Sequence, residues 1–124
     1  MPDSTFARLS DQKYISLETF KKNGDGVKTP VWFVLHEDAL YVYTEATSWK
    51  VKRIRNNPRV RVAPCTIRGV VTGPSMDATA SIIDGDERGV ADTLLDRKYF
   101  MKRILNLLTR VNRHERAMIK IVAV

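Results

Sequence analysis

A single cysteine in 124 residues leaves Cys65 without an intrachain disulfide partner, so the fold must be held by its core alone. A lone cysteine of this kind reads as a small buried hydrophobe. The two histidines, His36 and His114, are too far apart for a metal-binding spacing and belong to no recognisable triad. No metal site is expected. Apolar runs fall well short of the ~20 residues that span a bilayer. Met1 is followed by Pro2, Asp3 and Ser4 rather than by a basic and apolar leader, which predicts a cytoplasmic protein with no membrane role. Internal repeats and low-complexity tracts are missing too. Asn23-Gly24-Asp25-Gly26 is not a phosphate loop because no helix follows it. Asp84-Gly85-Asp86 lacks the later acidic ligands of a calcium loop and reads as a turn that leads into a helix.

The chain carries a net charge of +7, which implies acidic partners without naming them. Its length suits one domain, residues 1–124, able to remove somewhat over 60% of its unfolded surface from water. Tyr14 to Lys21 alternates like a half-buried strand, and the Asn-Gly-Asp-Gly turn sends it into a hairpin. Val31 to Leu35 is a continuous apolar run, and Leu40 to Thr44 follows after a tight turn at Glu37-Asp38, so these two read as a second hairpin. Arg59 to Pro64 places Val60 and Val62 inside with Arg59 and Arg61 outside. Val70 to Gly73, Ala78 to Asp84 and Ala117 to Val122 supply further strands. Many short strands punctuated by Gly and Pro predict a barrel or sandwich. Phe6 and Leu9 form an i,i+3 pair that predicts a short N-terminal helix. Asp86 can cap a helix through Val90, Leu94 and Leu95, and Phe100, Ile104, Leu107, Leu108 and Val111 recur at helical spacing. The cations on that stretch read as a solvated face over a buried stripe.

The residues that carry chemistry gather where the second hairpin ends. Thr44, Thr47 and Ser48 precede a helical run from Trp49 to Asn56, which must stop before Pro58. Ser48 is the expected N-cap. A helix start exposes unpaired N–H groups and about half a positive charge, which favours an anion there. Lys50 and Arg53, at i,i+3, can close on the same anion. At roughly 1.5–3 kcal/mol for each charge-assisted hydrogen bond, two or three supply much of a micromolar affinity of about 8 kcal/mol. Trp32 and Trp49 are natural walls for a planar ring beside such a site.

The order KTPVWF, LYVYT, SWK and RNNPRV resembles the pyridoxamine-phosphate-oxidase-like family of split β-barrel proteins, which bind flavins or deazaflavins. The resemblance covers most of the chain from Lys13 to Ile121. It implies a mainly β fold with helices at the N-terminus, after the third strand and before the last. In that family the strand matching Thr29, Pro30, Val31 and Trp32 runs along the flavin ring, Tyr43 and Thr44 stand near the phosphate, and Ser48 and Lys50 grip it. Trp49 occupies the position of an arginine that adds a phosphate contact in the oxidases using flavin mononucleotide (FMN). That difference, together with Ala63-Pro64-Cys65 and Arg68-Gly69, is similar to the branch using the 8-hydroxy-5-deazaflavin coenzyme F-420.

The expected cofactor-binding set is therefore Thr29, Pro30, Val31, Trp32, Tyr43, Thr44, Ser48, Trp49, Lys50 and Arg53. Lys52, Arg55, Arg59 and Arg61 are candidates for attracting the coenzyme's carboxylate tail. No catalytic acid or base is required, because the resemblance assigns hydride transfer with an unsaturated small molecule to the coenzyme. The alternatives are an FMN-dependent oxidase of the same fold and a non-enzymatic deazaflavin carrier. A homodimer is implied, with the cofactor in a groove between protomers. Nucleic acid is not expected, since no aromatic residue interleaves with the cations from Lys50 to Arg61.

Overall fold

The structure, a computed structural model, describes residues 6–99 and 116–124. After a short 3-10 turn, Ala7–Leu9, come β1 (Ile15–Phe20), β2 (Gly26–Val31), β3 (Val34–His36) and β4 (Ala39–Glu45). Helix α1 (Trp49–Asn56), β5 (Arg59–Pro64), β6 (Met76–Ile83), α2 (Gly85–Lys98) and β7 (Arg116–Ala123) complete the order. All seven strands form one antiparallel sheet with the order β2-β1-β5-β6-β7-β4-β3.

The two edges of that sheet, β2 and β3, are consecutive in sequence and separated only by Trp32 and Phe33. Laid flat, such edges would stand ~29 Å apart at the usual interstrand spacing. Three peptide steps reach at most ~11 Å. The sheet must therefore curl until its edges nearly meet, which makes a split barrel. At the seam the Phe33 backbone is outside any ladder, and a side chain from the end of α2 takes its place. The Tyr99 hydroxyl accepts from the Phe33 N–H at 3.1 Å and has one proton to share between the Lys13 carbonyl at 2.7 Å and the Phe33 carbonyl at 2.8 Å.

Period-two alternation sorts the side chains into two apolar clusters. Inside the curl, Phe6, Leu9, Leu17, Phe33, Val42, Val60, Val62, Ile119 and Ile121 are fully buried around Ile54 of α1. On the outer face Val34, Ala39, Tyr41 and Met118 pack against Ala91 and Leu95 of α2 and Tyr99 just beyond its end. Helix α1 lies against β1 and β6, and α2 against β3. Outside, Tyr41 donates to Glu87 at 2.8 Å and Lys120 pairs with the same carboxylate oxygen at 2.6 Å, which pins α2 to β4 and β7.

The expected mainly β split barrel with helices holds, with local corrections. The Val31–Leu35 run is not one strand. It is divided at the seam between β2 and β3, so α1 follows the fourth strand rather than the third. The second hairpin is β3 with β4, and its turn residues Glu37 and Asp38 have φ of 49° and 66°, the left-handed pair of a type I′ turn. Val70 to Gly73 forms no strand, only a bridge between Val71 and Cys65. Helix α2 is preceded by Asp84, not Asp86, and Asp84 makes no side-chain cap. Its carboxylate faces Arg88 at 3.6 Å, while Asp86 and Glu87 stand in the first turn, where negative charge suits the helix field. The expected helix through Phe100 and Val111, and His114, lie outside the described residues.

Replacing Tyr99 by Phe removes the acceptor that, among the described residues, the buried Phe33 N–H uses at the seam. Urea unfolding of Tyr99→Phe should show a loss of about 1–3 kcal/mol, the usual cost of orphaning such a group. A loss below about 0.5 would show that the seam is held by other means.

Candidate functional site

The end of β2, the seam, the end of β4 and the start of α1 converge on a cleft of about 390 Å³, within the size range of small-molecule sites. Pro30, Val31 and Trp32 form one wall. Trp32 is stacked on Tyr99, with centroids 4.9 Å apart and planes 10° from parallel, so the seam that closes the barrel also fixes the orientation of this wall. Behind it Lys98 holds its ammonium 3.6 Å from the Phe33 ring centroid. Burial pushes that lysine down to about 8.

Tyr43 and Thr44 lie opposite, and the chain runs on through Glu45 into the helix start. Ser48 has extended backbone angles and its Oγ accepts from the Val51 N–H at 3.5 Å. The N–H groups of Trp49 and Lys50 have no partner within the helix, as at any helix start. Lys50 reaches the same cleft. Burial lowers its pKa below the ordinary 10.5, Glu45 acts against that shift, and Arg53 acts with it. Arg116 pairs in register with Glu45 and places its guanidinium 5.7 Å from the Tyr43 ring. With Lys50 and Arg116 against Glu45, the lining carries one net positive charge.

Seven of the ten residues expected from sequence thus meet in one cleft: Pro30, Val31, Trp32, Tyr43, Thr44, Ser48 and Lys50. Thr29 stands one residue back on β2, opposite Leu17. Trp49 and Arg53 face a second, separate cleft. There Arg53 donates to Thr19 Oγ1 at 3.4 Å, and Trp49 is 67% exposed. Besides Glu45 at the end of β4, Tyr14, Ile67 and Arg116 line the first cleft without having been expected, and these three lie outside the motifs that marked the site. They come from the residue before β1, the loop after β5 and the start of β7, so only strand pairing brings them together. A cation at the start of a terminal strand carries no local signal of a site.

A curled antiparallel sheet whose edge strands meet at a two-residue seam, with one helix on each face, defines a split β-barrel. The chain belongs to the pyridoxamine 5′-phosphate oxidase family, whose model matches residues 1–123. A search of curated proteins gives no match. Among solved structures, HutZ, the heme storage protein from Vibrio cholerae, is 14% identical with a TM-score of 0.72, covering 92% of this chain and 83% of its own. A conserved protein from Mycobacterium tuberculosis is 20% identical with a TM-score of 0.72, covering 99% and 81%. An F-420 reductase is 16% identical with a TM-score of 0.65, covering 100% and 96%. At these identities the likeness establishes the fold.

Lys50→Ala should weaken binding of a phosphate-bearing ring ligand by roughly 1.5–3 kcal/mol in calorimetry while changing stability by no more than about 0.5. Because the pKa of Lys50 is lowered, its charge is present at low pH and is lost as pH rises through a value below 10.5. Wild-type affinity should decline on the alkaline side earlier than an ordinary lysine would dictate. The Ala variant should lack that step.

Proposed function

We propose that this protein is a deazaflavin-dependent oxidoreductase that holds F-420 in the first cleft and exchanges hydride with an unsaturated small molecule. The observation that carries the reading is the union, in one cleft, of a planar wall with an anion-holding helix start. Pro30, Val31 and Trp32 would lie along the ring system. Ser48, Lys50 and the free N–H groups at the start of α1 would take the phosphate. Of the remaining expected residues, Thr29 would act through the β2 backbone, whereas Trp49 and Arg53 would stand outside the phosphate contact. When bound, the reduced coenzyme supplies the hydride. The chain's own part is to bind, to orient and to exclude water, and Trp32, locked by Tyr99, serves the last two. Neither Glu45 nor Tyr14 needs a proton-transfer role.

Trp49 supports F-420 over FMN, since the residue that stands for the oxidases' phosphate-binding arginine is turned to the other cleft. Likeness to an F-420 reductase points the same way. FMN is the second reading, favoured by Arg116, whose guanidinium brings a second cation to the cleft. A non-enzymatic deazaflavin carrier would use the same contacts and differ only in the absence of turnover. Heme, which the Vibrio protein stores, would meet two tyrosines, Tyr14 and Tyr43, but no histidine, cysteine or methionine among the described lining residues.

Separate titrations of oxidised F-420 and FMN into purified protein should show F-420 binding at least tenfold more tightly at low salt. The preference should shrink as salt screens the exposed tail contacts. A stoichiometric yellow flavin in the purified protein, or tighter FMN binding, would overturn the assignment in favour of the oxidase reading.

Ile67, which lines the cleft, and Val70 in the same loop after β5 stand 67% and 60% exposed. A second copy would cover them and complete the groove. Light scattering should give a twofold dimer at micromolar concentration. A monomer that binds cofactor normally would remove this part of the proposal.

A further inference from the structure

The second cleft, about 790 Å³, lies between the β1–β2 turn and the outer side of α1. Its chemistry differs from that of the first. Lys21 and Lys22 approach from the turn and Lys52 and Arg53 from the helix, with no acidic residue among the described lining residues. Among the described residues Lys21, Lys22 and Lys52 have no carboxylate within ion-pair distance. Two aromatic rings share the site. Trp49 keeps two-thirds of its surface exposed although Lys52 lies over its ring at 4.5 Å. Phe20 closes the other wall, backed by Arg59 and Arg61 at 5.7 and 5.9 Å. Asn56 adds an amide that both donates and accepts, and Asn57, whose Oδ1 already accepts from the Arg59 N–H at 3.1 Å, adds its NH2 as a donor.

Four unopposed cations on two sides of a cleft raise the local concentration of polyanions. An exposed tryptophan with a phenylalanine beside it supplies stacking surface for a flat ring. Two amides can read the edge of that ring. Asn56 and Asn57 end α1 just before Pro58, so their place in the cleft is fixed by the helix stop. Arg53 spends one N–H on Thr19 and retains others, since a guanidinium has five. We propose that this cleft is a nucleotide site, taking a nucleoside polyphosphate with its base against Trp49 and Phe20 and its phosphates between the Lys21–Lys22 pair of the turn and the Lys52–Arg53 pair of the helix. The site is independent of the coenzyme identity argued above. Trp49 and Lys50, adjacent on α1, project into different clefts, so the helix is a ridge with a ligand on either side and a means for one to sense the other.

Adenosine triphosphate titrated into the full chain at low salt, followed by tryptophan fluorescence and calorimetry, tests the proposal. Binding should quench Trp49 emission, and tripolyphosphate, which lacks the ring, should bind at least tenfold more weakly. The double variant Lys21→Glu/Lys22→Glu, altered at an exposed turn, should loosen the nucleotide at least tenfold while leaving coenzyme affinity within about twofold. Lys50→Ala should do the reverse. No binding up to millimolar nucleotide would overturn the proposal. So would tripolyphosphate binding as tightly as the nucleotide, or a nucleotide affinity that follows Lys50 rather than the turn lysines.

Discussion

One phenolic oxygen holds the barrel's seam. A sheet whose edge strands are joined by two residues cannot stay flat, and where it closes, the Phe33 amide faces the interior with no strand to pair with. Tyr99 answers both its N–H and its C=O and reaches the Lys13 carbonyl as well. A buried amide without partners costs more than a made hydrogen bond gains, so closure depends on a residue outside the sheet. Burial pushes the Tyr99 phenol up to about 12, which keeps it a donor throughout the physiological range. The same ring stacks on Trp32, and the contact that closes the barrel thereby sets the wall of the cleft.

What was legible in the sequence was local. The helix from Trp49 to Asn56 is bounded by a hydroxyl cap and a proline within ten residues, and its limits coincide with the observed ones. Arg59 to Val62 alternates, and the valines are buried while Arg61 pairs outside with Asp77 at 3.0 Å. Reading Val31–Leu35 as one strand of a hairpin fails because an apolar stretch looks the same whether it is one strand or is divided between two. Phe33 enters the inner cluster and Val34 the outer one, and both demand an apolar residue. Tyr99 was invisible for a different reason. Its partners stand 66 and 86 positions away, and a tyrosine after a basic helical turn has no local mark of such a role.

The candidate site shows the same division. The helix start and the ends of β2 and β4 carry their chemistry in short contiguous motifs, so Ser48, Lys50 and Trp32 could be picked out residue by residue. Arg116 could not, because its position depends on the pairing of β7 with β4. Spacing also misled at one point. An i,i+3 pair lies on one side of a helix, yet Lys50 and Arg53 serve different clefts, since Thr19 draws the arginine toward β1.

The charge of the chain is therefore not spread evenly over a solvated face. Among the described residues the first cleft balances Lys50 and Arg116 against Glu45 and keeps one net positive charge. The second collects four cations with no acid among its described lining residues, and long-range attraction of anions there is correspondingly stronger and more sensitive to salt. Both are built on α1, whose buried Val51 and Ile54 anchor it in the core against β1 and β6. A helix of eight residues is too short to be stable alone, so its two faces owe their positions to that packing. A ligand that shifts α1 in one cleft must shift it in the other, and coupling between them needs no further moving part.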